Sequence, residues 1–232
     1  SPSVMEWFSR LGINIQEGYG MSENWAYGSV NPKEDIRFGT VGKAMPKSEI
    51  KISEIGEILI KSPATMKGYY LDEEKTREVI IDDFYHTGDK GEICKDGYIK
   101  ITGRIKDTFK TAKGEFITPS LIETLILENT HIEQVCVMGL GMPQPMALVV
   151  LSEQAQTLSK AEVNHGLEKT LANVNKQVKS HEVLNGLFVV KDEWLPENGL
   201  MTPTLKVKRN EVAAYYQSLV EEHAEAKAVI WE

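Results

Sequence analysis

The chain has 232 residues, of which 41% are hydrophobic, so it can form one large domain or two small ones with real cores. Its 34 acidic residues outnumber its 26 lysines and arginines, and the formal net charge is -8. This balance argues against a broad attraction to nucleic acid phosphates, so we expect no nucleic acid partner and expect any bound phosphate to be held by local groups.

Cysteine and hydropathy patterns favour a reducing, cytoplasmic setting. Cys94 and Cys136 each lie in a segment of alternating apolar residues, where we expect buried free thiols rather than a disulfide or a reactive thiol. The five histidines show no metal-ligand spacing, so we expect no transition-metal site. The longest mainly apolar run, MALVVL at 146–151, is too short to span a bilayer, and the first residues lack a signal-peptide pattern.

The first hundred residues are rich in turn signals and in strand-like alternation. EIKI at 49–52 and GEILIKS at 56–62 alternate on either side of a short polar turn, which predicts one hairpin. GEICK and YIKIT flank the turn signal formed by Asp96 and Gly97, which predicts a second hairpin. This part of the chain is therefore predicted to be antiparallel sheet.

After Gly103 the pattern changes to mixed helix and strand. Thr118 is predicted to cap a helix that has Pro119 at its first position and continues through SLIETLILEN. EQVCVMGL and ALVVLS predict strands on either side of the MPQP turn. A domain boundary is expected near 103–107, where the charged stretch GRIKD suits a hinge and equally suits an ordinary loop.

The last third of the chain is predicted to contain two further helices and a short strand. Ser159 and Glu162 have the spacing of a capping box, which predicts a helix that runs towards Lys179. LFVV predicts a strand of a few residues. A helical stripe of apolar residues follows Asn210. Its members are Val212, Tyr215, Tyr216, Leu219 and Val220.

Four stretches are candidates for chemistry: GYGMSE at 18–23, YHTGD at 85–89, GRIKDTFKTAKGE at 103–115 and TPTLKVKR at 202–209. Each alone has an ordinary structural explanation. The first is typical of a turn with a capping serine, Asp89 can cap a turn, and Lys106, Lys110 and Lys113 suit a solvated face.

TPTLKVKR places three cations within four positions of an acidic chain. A basic surface patch and a single lysine aimed at a substrate are both open. If the stretch is a strand, Lys206 and Lys208 share one face and Arg209 opposes them, so strand parity does not choose between the two lysines.

Taken together and in this order, the four stretches resemble the later core motifs of the adenylate-forming superfamily, which includes acyl-CoA synthetases, firefly luciferase and the adenylation domains of peptide synthetases. ENGLMTPTLKVKR and FKTAKGEFITPSLIE look most like long-chain fatty acyl-CoA synthetases. Other members more often have Ser-Gly-Lys near the end, whereas Leu205 precedes the lysine here. The resemblance extends over nearly the whole chain.

The resemblance implies an α+β fold in two domains. Residues 1–103 would be the C-terminal part of a large adenylate-binding domain, mostly antiparallel β, and residues 104–232 a small mobile α+β domain with its hinge near Lys106. Family members are much longer, and the upstream loop that grips the ATP phosphates is not in this sequence. We therefore expect a fragment that is inactive alone, with the N-terminal part of its own chain missing.

The implied reaction is an ATP-dependent fatty acid:CoA ligation that uses Mg²⁺. A fatty acid carboxylate attacks the α-phosphate of ATP and forms an acyl-adenylate, and coenzyme A then displaces AMP. Two alternatives stay open: loading of a carrier protein instead of CoA, and a non-catalytic module that binds nucleotide or a partner. Because long-chain substrates partition into membranes, peripheral contact with the inner face of a membrane is also open.

The resemblance assigns the first motif to the nucleotide and its cation. Tyr19 would lie against adenine, and Gly20 and Met21 would line the nucleotide site. Ser22 would take the place of the family threonine and donate to the α-phosphate. Glu23 would bind Mg²⁺, a hard cation that prefers oxygen ligands. Trp25 could line the acyl pocket, although a core tryptophan is the preferred interpretation.

The resemblance also assigns the later motifs. Asp89 would bind the ribose, because a carboxylate can accept hydrogen bonds from both hydroxyls, and Arg104 would be the cation that also contacts the ribose region. Lys106 would be the hinge, since family members rotate the small domain between half-reactions. Lys113 and Gly114 would serve the thioester step, where glycine leaves room for the pantetheine arm.

Lysines are also assigned to the charged substrates. Lys206 would be the catalytic lysine that bridges the carboxylate and the α-phosphate during adenylation. Lys110 or Lys113 would contact the CoA phosphates, although a solvated lysine is the preferred interpretation for each.

Overall fold

The computed structural model describes residues 2–223 and 226–232, and the chain divides into two compact units between Lys106 and Asp107. Each unit has its own hydrophobic core. Within the described residues, no helix combines the length and the apolar character needed to cross a bilayer.

The first unit is mainly strands, with two α-helices and two single turns of 3-10 helix. Its elements are α1 (Pro2–Arg10), β1 (Gly18–Tyr19), a 3-10 turn (Ser22–Asn24), β2 (Ser29–Val30), β3 (Lys43–Ala44), β4 (Glu49–Ile52), β5 (Glu57–Lys61), α2 (Glu73–Val79), β6 (Ile80–Ile81), β7 (Phe84–Ile93), a second 3-10 turn (Lys95–Gly97) and β8 (Ile99–Arg104).

All strand pairs of the first unit are antiparallel, as predicted. One sheet has the order β1-β2-β3, and a larger sheet has the order β4-β5-β7-β6 with β8 also paired to β7. Both predicted hairpins are confirmed as β4–β5 and β7–β8. The core is built on Ile58, Ile60 and Ile99, with Tyr19 and Met21 packed against it. The first motif is therefore anchored to the core of this unit through Tyr19 and Met21.

Strand β7 begins earlier than the sequence indicates. It includes the whole YHTGD stretch, so Asp89 lies within a strand and not at a turn. The β7–β8 ladder carries a bulge: Lys90 pairs with Gly103 and Gly91 pairs with Ile101, which leaves Thr102 as an extra residue on β8.

The second unit combines helices with a mixed sheet. Its elements are β9 (Phe109–Lys110), β10 (Phe116–Ile117), α3 (Pro119–Ile126), β11 (Ile132–Met138), β12 (Met146–Leu151), α4 (Glu153–Gln156), α5 (Lys160–Gln177), β13 (Leu187–Val189), α6 (Arg209–Tyr215), α7 (Gln217–Glu222) and β14 (Val229–Trp231).

The main sheet of the second unit has the order β11-β12-β13-β14, with an antiparallel first pair and parallel later pairs. It has a separate apolar cluster on each face. Val135 and Val137 join the cluster that contains residues of α3 and α5, whereas Cys136 joins the cluster that contains residues of α6 and α7. Because both faces are covered, β12 is a continuous apolar run and not an alternating one.

The predicted helix starts are partly correct. Ser159 caps α5 in a capping box: its hydroxyl accepts from the Glu162 amide, and Glu162 Oε2 accepts from the Ser159 amide at 3.0 Å. Thr118 occupies the N-cap position of α3, but its side chain makes no capping hydrogen bond, so that detail of the prediction is wrong. Pro119 at the first position remains the start signal, and α3 ends at Ile126, before the predicted end.

Three other predictions need correction. The final helix is broken into α6 and α7 at Tyr216, and although Tyr216 is buried, Tyr215 of the predicted apolar stripe is 63% exposed. Both cysteines are free, and Cys136 is buried as predicted. Cys94 is only half-buried, because it lies next to a hairpin turn. Trp25 is 84% exposed and is not a core residue of this chain.

TPTLKVKR is a turn and not a strand. Among the described residues, its one strand-type contact is the isolated bridge between Met201 and Val207, and Leu205 has a left-handed backbone with φ +57°. The argument from strand parity therefore does not apply to Lys206 and Lys208.

Candidate active site

The first motif forms a tight loop after β1. The 3-10 turn Ser22–Asn24 is followed by two left-handed residues, Trp25 and Ala26, which fold the chain back towards Gly20. A Cβ at Gly20 would lie 2.3 Å from the carbonyl carbon of Ala26. Gly20 therefore leaves room for the loop's own backbone, a requirement the sequence did not indicate.

Asn24 organises this loop from inside. It is fully buried, and its Oδ1 accepts from the backbone N–H of Met21 at 2.9 Å. This bond ties the two ends of the 3-10 turn and leaves Ser22 on the exposed side. Sequence reasoning missed Asn24, although an asparagine directly after a Ser-Glu pair in a turn is a capping signal.

Tyr19, Asp89 and Arg104 come together across the sheet. The Tyr19 hydroxyl donates to Asp89 Oδ2 at 2.6 Å, and Arg104 Nε lies 3.1 Å from Asp89 Oδ1. Asp89 and Arg104 are opposite each other in the β7–β8 ladder. Thr87 fixes the strand locally, because its hydroxyl accepts from the Asp89 amide and donates to the Ile58 carbonyl.

The surroundings of Tyr19 keep its hydroxyl protonated. Burial, and then the hydrogen bond to the Asp89 carboxylate, raise the pKa of Tyr19 well above its ordinary value. Tyr19 therefore remains a neutral donor at physiological pH. A carboxylate offers about four acceptor positions, of which Tyr19 and Arg104 use two. Asp89 thus keeps acceptor capacity on both oxygens, which suits a ligand with adjacent hydroxyls.

Glu23 forms a second cluster with two tyrosines that sequence reasoning did not single out. The Tyr69 hydroxyl donates to Glu23 Oε1 at 2.9 Å, and the Met66 amide donates to the Glu23 carbonyl at 2.7 Å. Burial raises the pKa of both Tyr69 and Tyr85, and the Glu23 carboxylate adds to the rise. Tyr69 lies in the stretch GEILIKSPATMKGYY at 56–70, in which nothing local marks Glu23 as its partner.

The donor set fits a partly hydrated Mg²⁺ and not a cation enclosed by protein. No group of three or more His, Cys, Asp or Glu residues able to hold a metal occurs within residues 2–223 and 226–232. Glu23 offers one hard oxygen ligand. Mg²⁺ typically uses one or two carboxylates and completes its shell with waters and substrate phosphates, so this single carboxylate is compatible with it.

Lys113 and Gly114 lie in the exposed turn between β9 and β10. Gly114 has φ +82°, and a Cβ there would meet nothing within 4 Å, so glycine serves the turn conformation while the space beside it stays open. Lys110 Nζ lies over the Phe116 ring at 4.6 Å to the ring centroid. Lys110 therefore stabilises the hairpin by a cation–π contact in addition to being solvated.

The three cations of TPTLKVKR have different surroundings. Lys206 and Lys208 are exposed, and the turn that carries Lys206 is closed by two hydrogen bonds: the Thr202 amide donates to the Lys206 carbonyl and the Lys206 amide donates to the Thr202 hydroxyl. Arg209 points inward and forms a bidentate ion pair with Glu123 at 2.6 and 2.9 Å. One of the three cations is thus structural.

The first unit brings most of its predicted site residues into contacts with one another or with neighbours. Tyr19, Asp89 and Arg104 form one cluster, and Glu23 forms another with Tyr69. Lys106 is exposed at the end of the first unit.

Comparison with known proteins gives the class. Residues 1–70 match the family of AMP-binding enzymes, and residues 106–228 match the AMP-binding enzyme C-terminal domain. The chain therefore belongs to the AMP-binding, adenylate-forming enzyme family, which confirms the resemblance found in the sequence.

The more specific likeness is to acid–CoA ligases. The chain is 30% identical over 227 residues to the long-chain-fatty-acid–CoA ligase FadD15 of Mycobacterium bovis, covering 90% of this chain and 38% of the relative. It is 30% identical over 253 residues to long-chain-fatty-acid–CoA ligase 6 of Rattus norvegicus, covering 96% of this chain and 36% of the relative. The chain thus spans little more than a third of these relatives.

Solved structures agree with the fold. The crystal structure of ATP-bound MatB from Rhodopseudomonas palustris matches 94% of this chain and 44% of its own, with a TM-score of 0.70 and 28% identity. The predicted α+β class is confirmed.

Proposed function

We propose that this chain is the C-terminal part of an ATP-dependent fatty acid:CoA ligase. The observation that carries the proposal is the Tyr19–Asp89–Arg104 cluster, in which a carboxylate with spare acceptor positions lies beside an aromatic ring. A nucleoside fits this combination, because its base stacks on a ring and its ribose presents two adjacent hydroxyls. The likeness to two long-chain-fatty-acid–CoA ligases supports a fatty acid as the substrate.

The proposed reaction has two steps. In the first, the fatty acid carboxylate attacks the α-phosphorus of ATP, pyrophosphate leaves and an acyl-adenylate forms. In the second, the thiolate of CoA attacks the acyl carbonyl and AMP leaves. Both transition states concentrate negative charge on oxygen, so positioned donors and a cation stabilise them.

The residues of this chain would divide this work. Ser22, exposed on the 3-10 turn, would donate to an α-phosphate oxygen, and Glu23 would hold Mg²⁺, which would neutralise phosphate charge. Lys206 would bridge the carboxylate and the phosphate as a compact charge on a flexible stem. Lys113 and Gly114 would serve the second step from their open turn.

Lys106 would act as the hinge between the two steps. It is exposed and ends the first unit, which suits a residue that absorbs a backbone rotation. Fluorescence energy transfer between one probe in each unit of the full-length protein tests this. The transfer efficiency should differ between the ATP-bound and the CoA-bound enzyme, and an unchanged efficiency would refute the hinge.

The decisive experiment separates the half-reactions in the full-length polypeptide that contains this chain. Pyrophosphate exchange with a fatty acid reports the first step, and CoA transfer from supplied acyl-adenylate reports the second. Lys206→Ala should abolish exchange and leave transfer largely intact. Lys208→Ala is the matched control, since Lys208 is also exposed and lies two positions away, and it should leave both steps unchanged. Survival of exchange in Lys206→Ala would reject the assignment.

The ribose assignment has its own test. Asp89→Asn removes the charge at nearly constant size, and we expect ATP binding to weaken by about tenfold or more, because hydrogen bonds to charged groups are worth about 1.5–3 kcal/mol. The variant should also lose discrimination against 2′-deoxy-ATP. Unchanged discrimination would place the ribose elsewhere.

The acyl acceptor and the substrate class are tested by products. Full-length enzyme is supplied with fatty acids and ATP, and with either CoA or a phosphopantetheine carrier protein as the acceptor. We expect acyl-CoA to form with CoA and no product to form with the carrier protein. Exclusive carrier acylation would favour the carrier-loading alternative, and nucleotide binding without any product would favour a non-catalytic module. Flotation with liposomes tests peripheral membrane contact, which an absence of co-flotation would exclude.

A further inference from the structure

Tyr69 and its neighbours hold Glu23 by both its side chain and its backbone. The Tyr69 hydroxyl donates to Glu23 Oε1 at 2.9 Å across a sequence separation of 46 residues. Three residues before Tyr69, the Met66 amide donates to the Glu23 carbonyl at 2.7 Å. Residues 66–69 therefore fix the position of a carboxylate that the sequence motif alone leaves on a surface loop.

Tyr69 is itself locked in place. Its amide donates to the Thr76 hydroxyl at 2.8 Å, and the Lys75 ammonium lies 4.7 Å from the centre of its ring. Gly68 permits this approach, because it has φ +153° and a Cβ there would lie 2.8 Å from the Thr76 side chain. A hydroxyl held in this way is preorganised and does not depend on a ligand for its orientation.

We propose that Tyr69 is a positioning residue for the divalent cation of the adenylation step: it binds Glu23 Oε1 and thereby leaves Oε2 as the oxygen that takes the cation. This inference rests on the proposed function. The physical reason is that a glutamate side chain has several rotatable bonds, and a partner that fixes a metal-binding carboxylate raises metal affinity without touching the metal.

Equilibrium binding of Mn²⁺, which replaces Mg²⁺ and is visible by electron paramagnetic resonance, tests this in the full-length polypeptide with ATP present. Tyr69→Phe removes only the hydroxyl, and the Kd for Mn²⁺ should rise by about tenfold. Tyr70→Phe is the matched control, because Tyr70 is the next residue and is 91% exposed, and its Kd should stay at the wild-type value. A Kd within about twofold of wild type in Tyr69→Phe overturns the proposal.

A second background separates positioning from a general structural effect. In Glu23→Asp the carboxylate is one methylene shorter and loses its contact with the Tyr69 hydroxyl, so adding Tyr69→Phe should not change the Kd further. A full additional loss in that background would mean that Tyr69 acts through the fold, which also overturns the proposal. If wild-type protein shows no ATP-dependent Mn²⁺ binding, the proposed function fails first and the role of Tyr69 fails with it.

Discussion

The sharpest stability prediction concerns Arg209, the inward-pointing cation of TPTLKVKR. Its guanidinium donates twice to Glu123 and once to the Val137 carbonyl at 2.8 Å, and the Val137 amide donates to the same Glu123 carboxylate at 2.8 Å. Helix α3, strand β11 and the start of α6 are therefore joined at one point. Burial alone would lower the pKa of Arg209, but the Glu123 carboxylate outweighs it and raises the pKa.

The magnitude follows from what each substitution leaves behind. The side chains of Arg209 and Glu123 are only 19% and 14% exposed, so Arg209→Ala leaves a largely buried carboxylate with one remaining donor. Breaking a buried ion pair on one side costs about 3–5 kcal/mol. Arg209→Lys keeps the charge but loses the planar fork, so it should cost less.

Urea denaturation of the purified chain tests this. Hydrogen exchange of peptides that cover β12 is the readout, because these peptides report the unfolding of the second unit. Lys208→Ala is the neighbouring control, and as a solvated cation it should change the free energy of unfolding by no more than about 0.5 kcal/mol. A loss below about 1 kcal/mol in Arg209→Ala would refute the reasoning, since it would make this pair equivalent to a surface salt bridge.

Three further predictions concern single residues. Gly20→Ala should destabilise the first unit by about 1–3 kcal/mol in urea unfolding, because its methyl group would overlap Ala26, and an unchanged midpoint would contradict the tight loop. The pKa of Tyr19 is raised on folding, so above pH about 10 the native state binds more protons than the unfolded state. The free energy of unfolding should therefore fall as pH rises through that range, and it should fall less steeply in Tyr19→Phe. Equal slopes of the two proteins between about pH 9 and pH 11 would disprove this. Burial raises the pKa of the Cys136 thiol to about 12, so iodoacetamide at neutral pH should modify Cys94 and spare Cys136 in the native protein, and equal labelling would show that Cys136 is accessible.

Local signals were sufficient for much of the fold. Alternation predicted β4 and β5, the spacing of Ser159 and Glu162 predicted the start of α5, and the stretch ALVVLS at 147–152 predicted β12. Thr118 shows the limit of such signals: the residue type suits a cap, but the side chain does not make the bond. Propensity thus located elements better than it located individual hydrogen bonds.

The candidate site was predictable as a set of motifs and not as a set of contacts. Tyr19 meets Asp89 across 70 residues, and Arg209 meets Glu123 across 86. Such pairs depend on strand register and on how elements pack, and neither is encoded in a short stretch. For the same reason the sequence did not single out Tyr69, whose partner lies on a distant loop.

The bulge at Thr102 separates two properties of the β7–β8 hairpin. On the side towards the Lys95–Gly97 turn, pairs such as Ile93 with Ile99 are offset by one residue from the pair formed by Asp89 and Arg104. If Thr102 were deleted, Gly103 would follow Ile101 directly and the β7–β8 ladder would be regular. Asp89 would still pair with Arg104, but the local bend at the bulge would be lost. The pairing of Asp89 with Arg104 and the curvature of the strands are therefore separate properties. The direction of the hairpin beyond the bulge can be changed while this ion pair is kept.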